Sequence, residues 1–313
     1  MKLIRLNSFL YLFCILSVFA SCVQKPDSSV EDWNRTFINT KKLISEACLD
    51  RELILGRPFL IQYVDSSLLI YDDIGDSLFL LVDLKENDRV YRFGQKGEGN
   101  NEFLQVFAFC NMKSDSILGV YDAYKHELRE INLDKVKRGE MNFPVVFKDT
   151  LSSIKLSPTK YDAYLGLGFY ESNMLSLTDN SIGSKFFFEY PYKDSREKAI
   201  SNRLRGMAYQ GTLCSNRSLD KFLYAVCSAP IFMLFSVNKD GIEKTYELIG
   251  GYPNYVTEET GEYRSAPMSA DNKMSFTMAY ATDNYIYLLY SGKNFRDAGM
   301  DAFKANVIYQ LSW

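Results

Sequence analysis

One histidine is present in the chain, His126, within Tyr124-Lys125-His126-Glu127-Leu128. A Ser-His-Asp triad would have to use it, but its neighbours read as the turn of a hairpin, which makes a surface turn residue the expectation. Acidic residues gather at Asp72-Asp73-Ile74-Gly75-Asp76, at Glu258-Glu259 and at Asp283. Calcium takes several oxygen ligands from a short loop, and Asp72, Asp73 and Asp76 would supply three. Their spacing differs from an EF-hand loop and fits a turn after a strand, so whether acids from separate strands meet around a metal stays open. Gly94, Gly97 and Gly99 crowd the stretch Arg92-Phe93-Gly94-Gln95-Lys96-Gly97-Glu98-Gly99-Asn100-Asn101-Glu102-Phe103. Such a run can aim successive N–H groups at an anion. A phosphate loop should lead from strand into helix, whereas here Glu102 and Phe103 lead into another strand, so a connecting turn is expected. Tyr161, Tyr164, Tyr170, Tyr190, Tyr192, Tyr252, Tyr255 and Tyr263 gather near predicted loops. Exposed tyrosine suits sugar or protein contacts, having an apolar body and a polar tip, although filling gaps between sheets is its commoner use. No cofactor motif is present.

Of the six cysteines, Cys14 and Cys22 lie near the start, leaving Cys48, Cys110, Cys214 and Cys227. There is no Cys-x-x-Cys pair, which leaves zinc and dithiol redox motifs unsupported. A hairpin turning near 219–221 would set Cys214 roughly opposite Cys227, which makes the pair a candidate disulfide in an oxidising compartment, the alternative being two free thiols in the core.

The compartment follows from the first residues. Lys2 and Arg5 precede an apolar run over 6–20, and Phe19-Ala20-Ser21 precede Cys22. That is the pattern of a signal peptide, with an apolar run shorter than the ~20 residues that span a bilayer as a helix. The residues before Cys22 resemble the bacterial lipobox, with Phe19 in place of the usual Leu. The resemblance implies lipidation of Cys22 and attachment to a membrane of the cell envelope, the outer membrane being favoured. Val23-Gln24-Lys25-Pro26 continues as a polar tether. Loss of residues 1–21 takes away two cations and moves the net charge from −3 to −5. An acidic chain with no basic block denser than Lys135-Val136-Lys137-Arg138 argues against a nucleic-acid partner.

Stepping outward to the elements, the 46 Phe, Tyr and Trp residues fall mostly in short runs bounded by Asp, Asn, Gly and Ser. This is a strand-and-turn rhythm. Strands are predicted at 59–64, 67–72, 78–84, 89–93, 107–112, 117–122, 127–133, 163–169, 174–178, 185–190, 206–214, 222–228, 231–238, 243–248, 275–281, 285–291 and 306–313. Helices are expected only at 194–205 and, alternatively to a loose lead-in, at 30–49. The strands group as 59–103, 104–148, 151–192, 206–252 and 266–313, a period that points to β-propeller blades. The expected organisation is a signal peptide (1–21), a lipidated tether (22–30), a lead-in (31–58) and an all-β propeller (59–313).

The stretch Phe93-Gly94 to Glu102-Phe103 also resembles the blade-connecting loop of the TolB-like six-bladed propeller lipoproteins, which are related to NHL-repeat propellers. Asn100 stands where Pro is usual. The resemblance implies a six-bladed, funnel-shaped fold and brings no catalytic residues with it. It also implies that a strand like Val307–Trp313 continues into further strands, so about five blades are expected, the last incomplete. The functional expectation is a membrane-anchored binding propeller for a protein, peptide or glycan. The alternative is a metal-dependent hydrolase or lactonase using funnel carboxylates. Converging Asp, Glu or Asn side chains in the funnel would favour the enzyme, and an apolar or aromatic mouth would favour binding.

Overall fold

A computed structural model describes residues 33, 37, 39–49, 52–86, 88–179, 183–260 and 263–313. The expected signal segment 1–21, the expected lipidation site Cys22 and the expected tether 22–30 lie outside the described residues. Apolar runs closed by turn residues fold as antiparallel hairpins, and successive hairpins build five sheets. Blade 1 comprises β1 (Pro58–Val64), β2 (Ser67–Asp72), β3 (Phe79–Asp83) and β4 (Arg89–Phe93). A parallel pair of two-residue strands, β5 (Gln95–Lys96) and β6 (Glu102–Phe103), connects it to blade 2. Blade 2 holds β7 (Val106–Asn111), β8 (Ile117–Asp122), β9 (Glu127–Asn132) and β10 (Val145–Lys148), with helix α1 (Leu133–Lys137) between the last two. Blade 3 holds β11 (Lys155–Pro158), β12 (Tyr164–Leu167), β13 (Leu175–Asp179) and β14 (Gly183–Phe187). Two short helices, α2 (Ser195–Lys198) and α3 (Asn202–Ala208), lead to blade 4: β15 (Gly211–Ser215), β16 (Lys221–Val226), β17 (Ile231–Val237) and β18 (Ile242–Ile249). A hairpin of β19 (Glu258–Thr260) and β20 (Tyr263–Ser265) precedes blade 5, whose sheet is β21 (Phe276–Ala281), β22 (Tyr285–Tyr290) and β23 (Val307–Ser312).

Each blade is a sandwich filling with two apolar faces, so its central strands are apolar at consecutive positions; all five residues of β3 are buried. Alternate side chains go to opposite neighbours. Phe79 and Leu81 join Phe103, Val106 and Leu118 between blades 1 and 2, while Leu80 and Val82 face the lead-in residues Leu49, Leu53 and Leu55. Separate cores fill the spaces between blades 2 and 3, 3 and 4, and 4 and 5. The first strands β7, β11, β15 and β21 touch in sequence around the axis.

The fifth sheet has three strands where the others have four, as expected for an incomplete final blade. The lead-in meets both flanking blades. Trp33 packs edge-on against Phe276, Tyr290 and Tyr309 of blade 5, and Leu49, Leu53 and Leu55 pack against the cluster of Ile70, Leu80 and Val82 in blade 1. Phe59, Ile61 and Tyr63 of β1 remain about half exposed. Residues 39–49 form no helix, so an N-terminal helix over 30–49 is not found among the described residues. The strand expected at 206–214 begins as the end of α3, whose first turn is capped by the Ser201 hydroxyl accepting from Leu204 N–H. Strands β10 and β11 were not predicted, being four residues long with polar residues and Pro158.

Candidate ligand-binding face

Antiparallel order places the turn between first and second strands of every blade, and that between third and fourth in blades 1 to 4, at one end. This turn face is tied from blade to blade by its polar residues. Asp83 of β3 meets Lys137 of α1. Lys113, after β7, meets Asp162, after β11. Lys160 meets Asp220 at 3.3 Å, and its N–H donates to Leu219 O at 2.8 Å. Ser218 N–H and Oγ–H donate to Asp283 in blade 5. Two further links cross the axis between blades 2 and 4: Asn111 Nδ2 donates to Ser215 O at 2.9 Å, and Arg217 meets Asp115. Strands β7 and β15 touch there, so the axis is bridged at this face. Among the described residues it presents neither converging free acids nor an aromatic mouth; Asp115, Asp162, Asp220 and Asp283 are each committed to a partner. Burial works against the charge on Asp220, but hydrogen bonds from Asn216 and Lys160 outweigh it and hold the carboxyl below its ordinary range.

Two cavities flank the turn 159–163 on this framework. The larger, about 410 Å³, lies between blades 3 and 4 and is lined by Thr159–Ala163, Leu177, Asp179, Gly183, Lys185 and Val237–Lys239. The smaller, about 320 Å³, lies between blades 2 and 3 against Met112–Ser114, Ile117, Glu130, Val146 and Tyr164. Thr159, Asp162 and Ala163 border both. Asp162 adopts φ +57°, a left-handed conformation that Asp tolerates. Its ion pair with Lys113 forms the ridge between the cavities. Both volumes fall in the ~300–1,000 Å³ range of small-ligand sites.

The tyrosines singled out by sequence divide. Tyr161 and Tyr164 line the two cavities, Tyr170 and Tyr190 are core, and Tyr192 and Tyr263 are exposed elsewhere. Tyr252 and Tyr255 pack against the core between blades 3 and 4. Lys113, Asp162, Lys185 and Lys239 were not foreseen, because each is a turn or strand-end residue in sequence and only the stacking of blades brings them together. The one available signal was the Lys239-Asp240-Gly241 turn itself.

The other sequence candidates are structural. The Asp72 carboxylate accepts the N–H groups of Gly56 and Arg57 at 2.6 and 2.7 Å. Burial opposes its charge, yet these bonds hold it below the ordinary carboxylate range. Asp73 pairs with Arg57. Among the described residues no group of three His, Cys, Asp or Glu is placed to hold a metal ion. His126 sits in the β8–β9 turn at φ +54°.

In the glycine loop, an internal carboxylate occupies the nest. Glu102 Oε2 accepts Gly99 N–H at 2.8 Å, and a Cβ on Gly97 would stand 2.1 Å from that oxygen. A Cβ on Gly94 would meet the Phe79 ring at 2.5 Å. Lys125 Nζ donates to Gly99 O and Glu102 O, and Phe103 is wholly buried. Gly94, Gly97, Gly99, Glu102 and Phe103 thus fasten blade 1 to blade 2.

The candidate Cys214–Cys227 disulfide is not formed; both thiols are free. The register places Cys214 opposite Leu223 and brings Cys227 N–H to Gln210 O. The two cysteines are therefore offset by four residues along the hairpin, about 13 Å, beyond disulfide reach. Burial pushes their thiols up to about 12 and about 11.

Among curated proteins no significant match is found. The arrangement is similar to that of a protein from Bacteroides fragilis described as exported, at 11% identity and TM-score 0.50, covering 84% of this chain and 74% of that one. A Bacteroides vulgatus protein from a family of unknown function is also similar, at 12% identity and TM-score 0.41, covering 77% and 72%. Residues 36–308 match the TolB-like 6-blade propeller-like family, and the chain, with its five sheets around one axis, belongs to that family.

Proposed function

We propose that the protein is an exported, lipid-anchored binding propeller whose turn face, at blades 2 to 4, holds an extended peptide or glycan. The observation that carries this reading is the pair of adjacent cavities on either side of the turn 159–163. Recognition sites work best when rigid elements hold them, and here the turns are cross-tied by Lys113–Asp162 and Lys160–Asp220. Two subsites separated by a ridge suit a ligand with repeating units, and Tyr161 and Tyr164 give each an aromatic wall. Anchoring rests on the resemblance of the residues around Cys22 to a lipobox. Among the described residues no helix is long and apolar enough to cross a membrane.

Peptide and oligosaccharide arrays probed with the detergent-solubilised full chain test the proposal. A ligand is expected whose binding falls at least fivefold in Asp162→Gly, which keeps the left-handed turn while removing the ridge. Tyr124→Ala on the opposite face should leave it unchanged. Binding that ignores Asp162→Gly, or responds equally to Tyr124→Ala, would place the site elsewhere.

A further inference from the structure

We infer that the larger cavity takes an anionic saccharide, with Lys185 and Lys239 meeting its acidic group and Tyr161 bordering its ring. The inference rests on the reading of the turn face as a binding surface and names the ligand class for it.

Five charged residues line the cavity: Lys160, Lys185, Lys239, Asp162 and Asp179. Their charges are not equally available. Asp162 is taken by Lys113 across the ridge, and Lys160 is taken by Asp220. Asp179 is engaged within the protein. Among the described residues, Lys185 and Lys239 have no ion-pair partner, so two ammonium groups border one concavity on a chain whose overall balance is acidic. Both side chains are exposed at the edge of the concavity, where a bound anion would gain charge-assisted hydrogen bonds from them.

The positions of both lysines are fixed by the fold. Lys185 lies directly opposite Leu177 in the β13–β14 pair. Lys239 projects from the β17–β18 turn, which is set by Asn238 Oδ1 accepting the N–H groups of Asp240 and Gly241 at 2.8 and 3.0 Å. That leaves the Asn238 amide N–H₂ as a further donor at the rim. Leu177, Val237 and Ala163 supply an apolar floor beside Tyr161. Apolar surface with a few placed donors suits a sugar ring, which has a C–H face and a hydroxyl edge. An extended peptide draws its affinity from backbone pairing along a free strand edge. Here the floor comes from β13 and the end of β17, which are paired on both sides within their sheets. Gly183 and Lys185, however, belong to the outer strand β14, whose free edge makes an acidic peptide the competitor that the test below includes. A long polyanion such as nucleic acid would need many cations in line; two serve a single carboxylate or sulfate.

Titration calorimetry of the full chain in detergent, with three oligosaccharides, tests the inference: oligogalacturonate (carboxylated), chondroitin sulfate oligomers (carboxylated and sulfated) and maltooligosaccharide (neutral). Binding of one or both acidic oligomers is expected, weakened about tenfold by Lys185→Gln with Lys239→Gln and weakened further by added salt. Preference between the two reports which acidic group is read. Equal or tighter binding of the neutral oligomer, unaffected by the lysine changes, would overturn the inference while leaving the binding face in place. Binding of an acidic peptide in preference to all three would do the same. If no saccharide and no peptide binds, both the inference and the reading of the face fail.

Discussion

Gly97 is the residue through which the blade 1–2 connector can be taken apart. A methyl group there would stand 2.1 Å from Glu102 Oε2 and 2.8 Å from its carboxyl carbon, far inside any tolerable contact. Gly97→Ala should therefore expel the Glu102 side chain and break its 2.8 Å bond from Gly99 N–H. That bond is charge-assisted but exposed, so its loss costs about 1–2 kcal/mol. Placing Ala at φ +159° adds about 1 kcal/mol, giving about 2–3 kcal/mol in all. Removing Glu102 first separates the two costs. In a Glu102→Ala background the obstructing carboxylate is gone, and Gly97→Ala should cost only the backbone portion, about 1 kcal/mol. Urea unfolding of the four chains completes the cycle, read as midpoint shifts at constant slope. A coupling of about 1–2 kcal/mol is expected. Equal cost of Gly97→Ala in both backgrounds would refute the view that the glycines exist to seat an internal carboxylate.

Three further outcomes are expected. Metabolic labelling with a fatty-acid analogue should mark the wild type and spare Cys22→Ala; equal labelling of both, or of neither, would remove the anchor. Lys155 donates from a withdrawn Nζ to Phe107 O, and burial lowers its ammonium from 10.5 to about 8, equivalent to about 3 kcal/mol. The unfolded chain keeps this proton longer, so stability should rise with pH between about 8 and 10.5. Lys155→Met should abolish that rise and, after losing a hydrogen bond worth about 1 kcal/mol, stabilise the fold at pH 7; an unchanged pH profile would contradict this. Alkylation of the unfolded, unreduced chain should modify Cys48, Cys110, Cys214 and Cys227, with native Cys48 reacting first because it alone is exposed; a protected Cys214–Cys227 pair would contradict the register.

The blades were legible because their central strands are apolar runs of the right length, punctuated by turn residues with local side-chain bonding. The boundaries predicted for β2, β4 and β8 coincide with those observed. What escaped were elements whose cause is tertiary. Strand β11 is held by β12 and by its neighbours at the axis rather than by its own sequence, Lys-Leu-Ser-Pro. Cys214 and Cys227 look opposed if the hairpin turns late, but Asn216 sets the turn by accepting from Asp220 and Lys221 N–H, which moves the register. The cavity lysines were illegible for a related reason: Lys185 and Lys239 are 54 positions apart in the chain and share a site only because blades 3 and 4 stack.

The binding face itself is tested most directly by hydrogen exchange of the full chain with and without a captured ligand. Added protection should concentrate at 159–163, with 112–117 and 237–239 following, and should be small at the connector face around 94–103. Protection confined to that connector face, to the half-exposed β1 residues Phe59, Ile61 and Tyr63, or to the hairpin 258–265 would contradict the account.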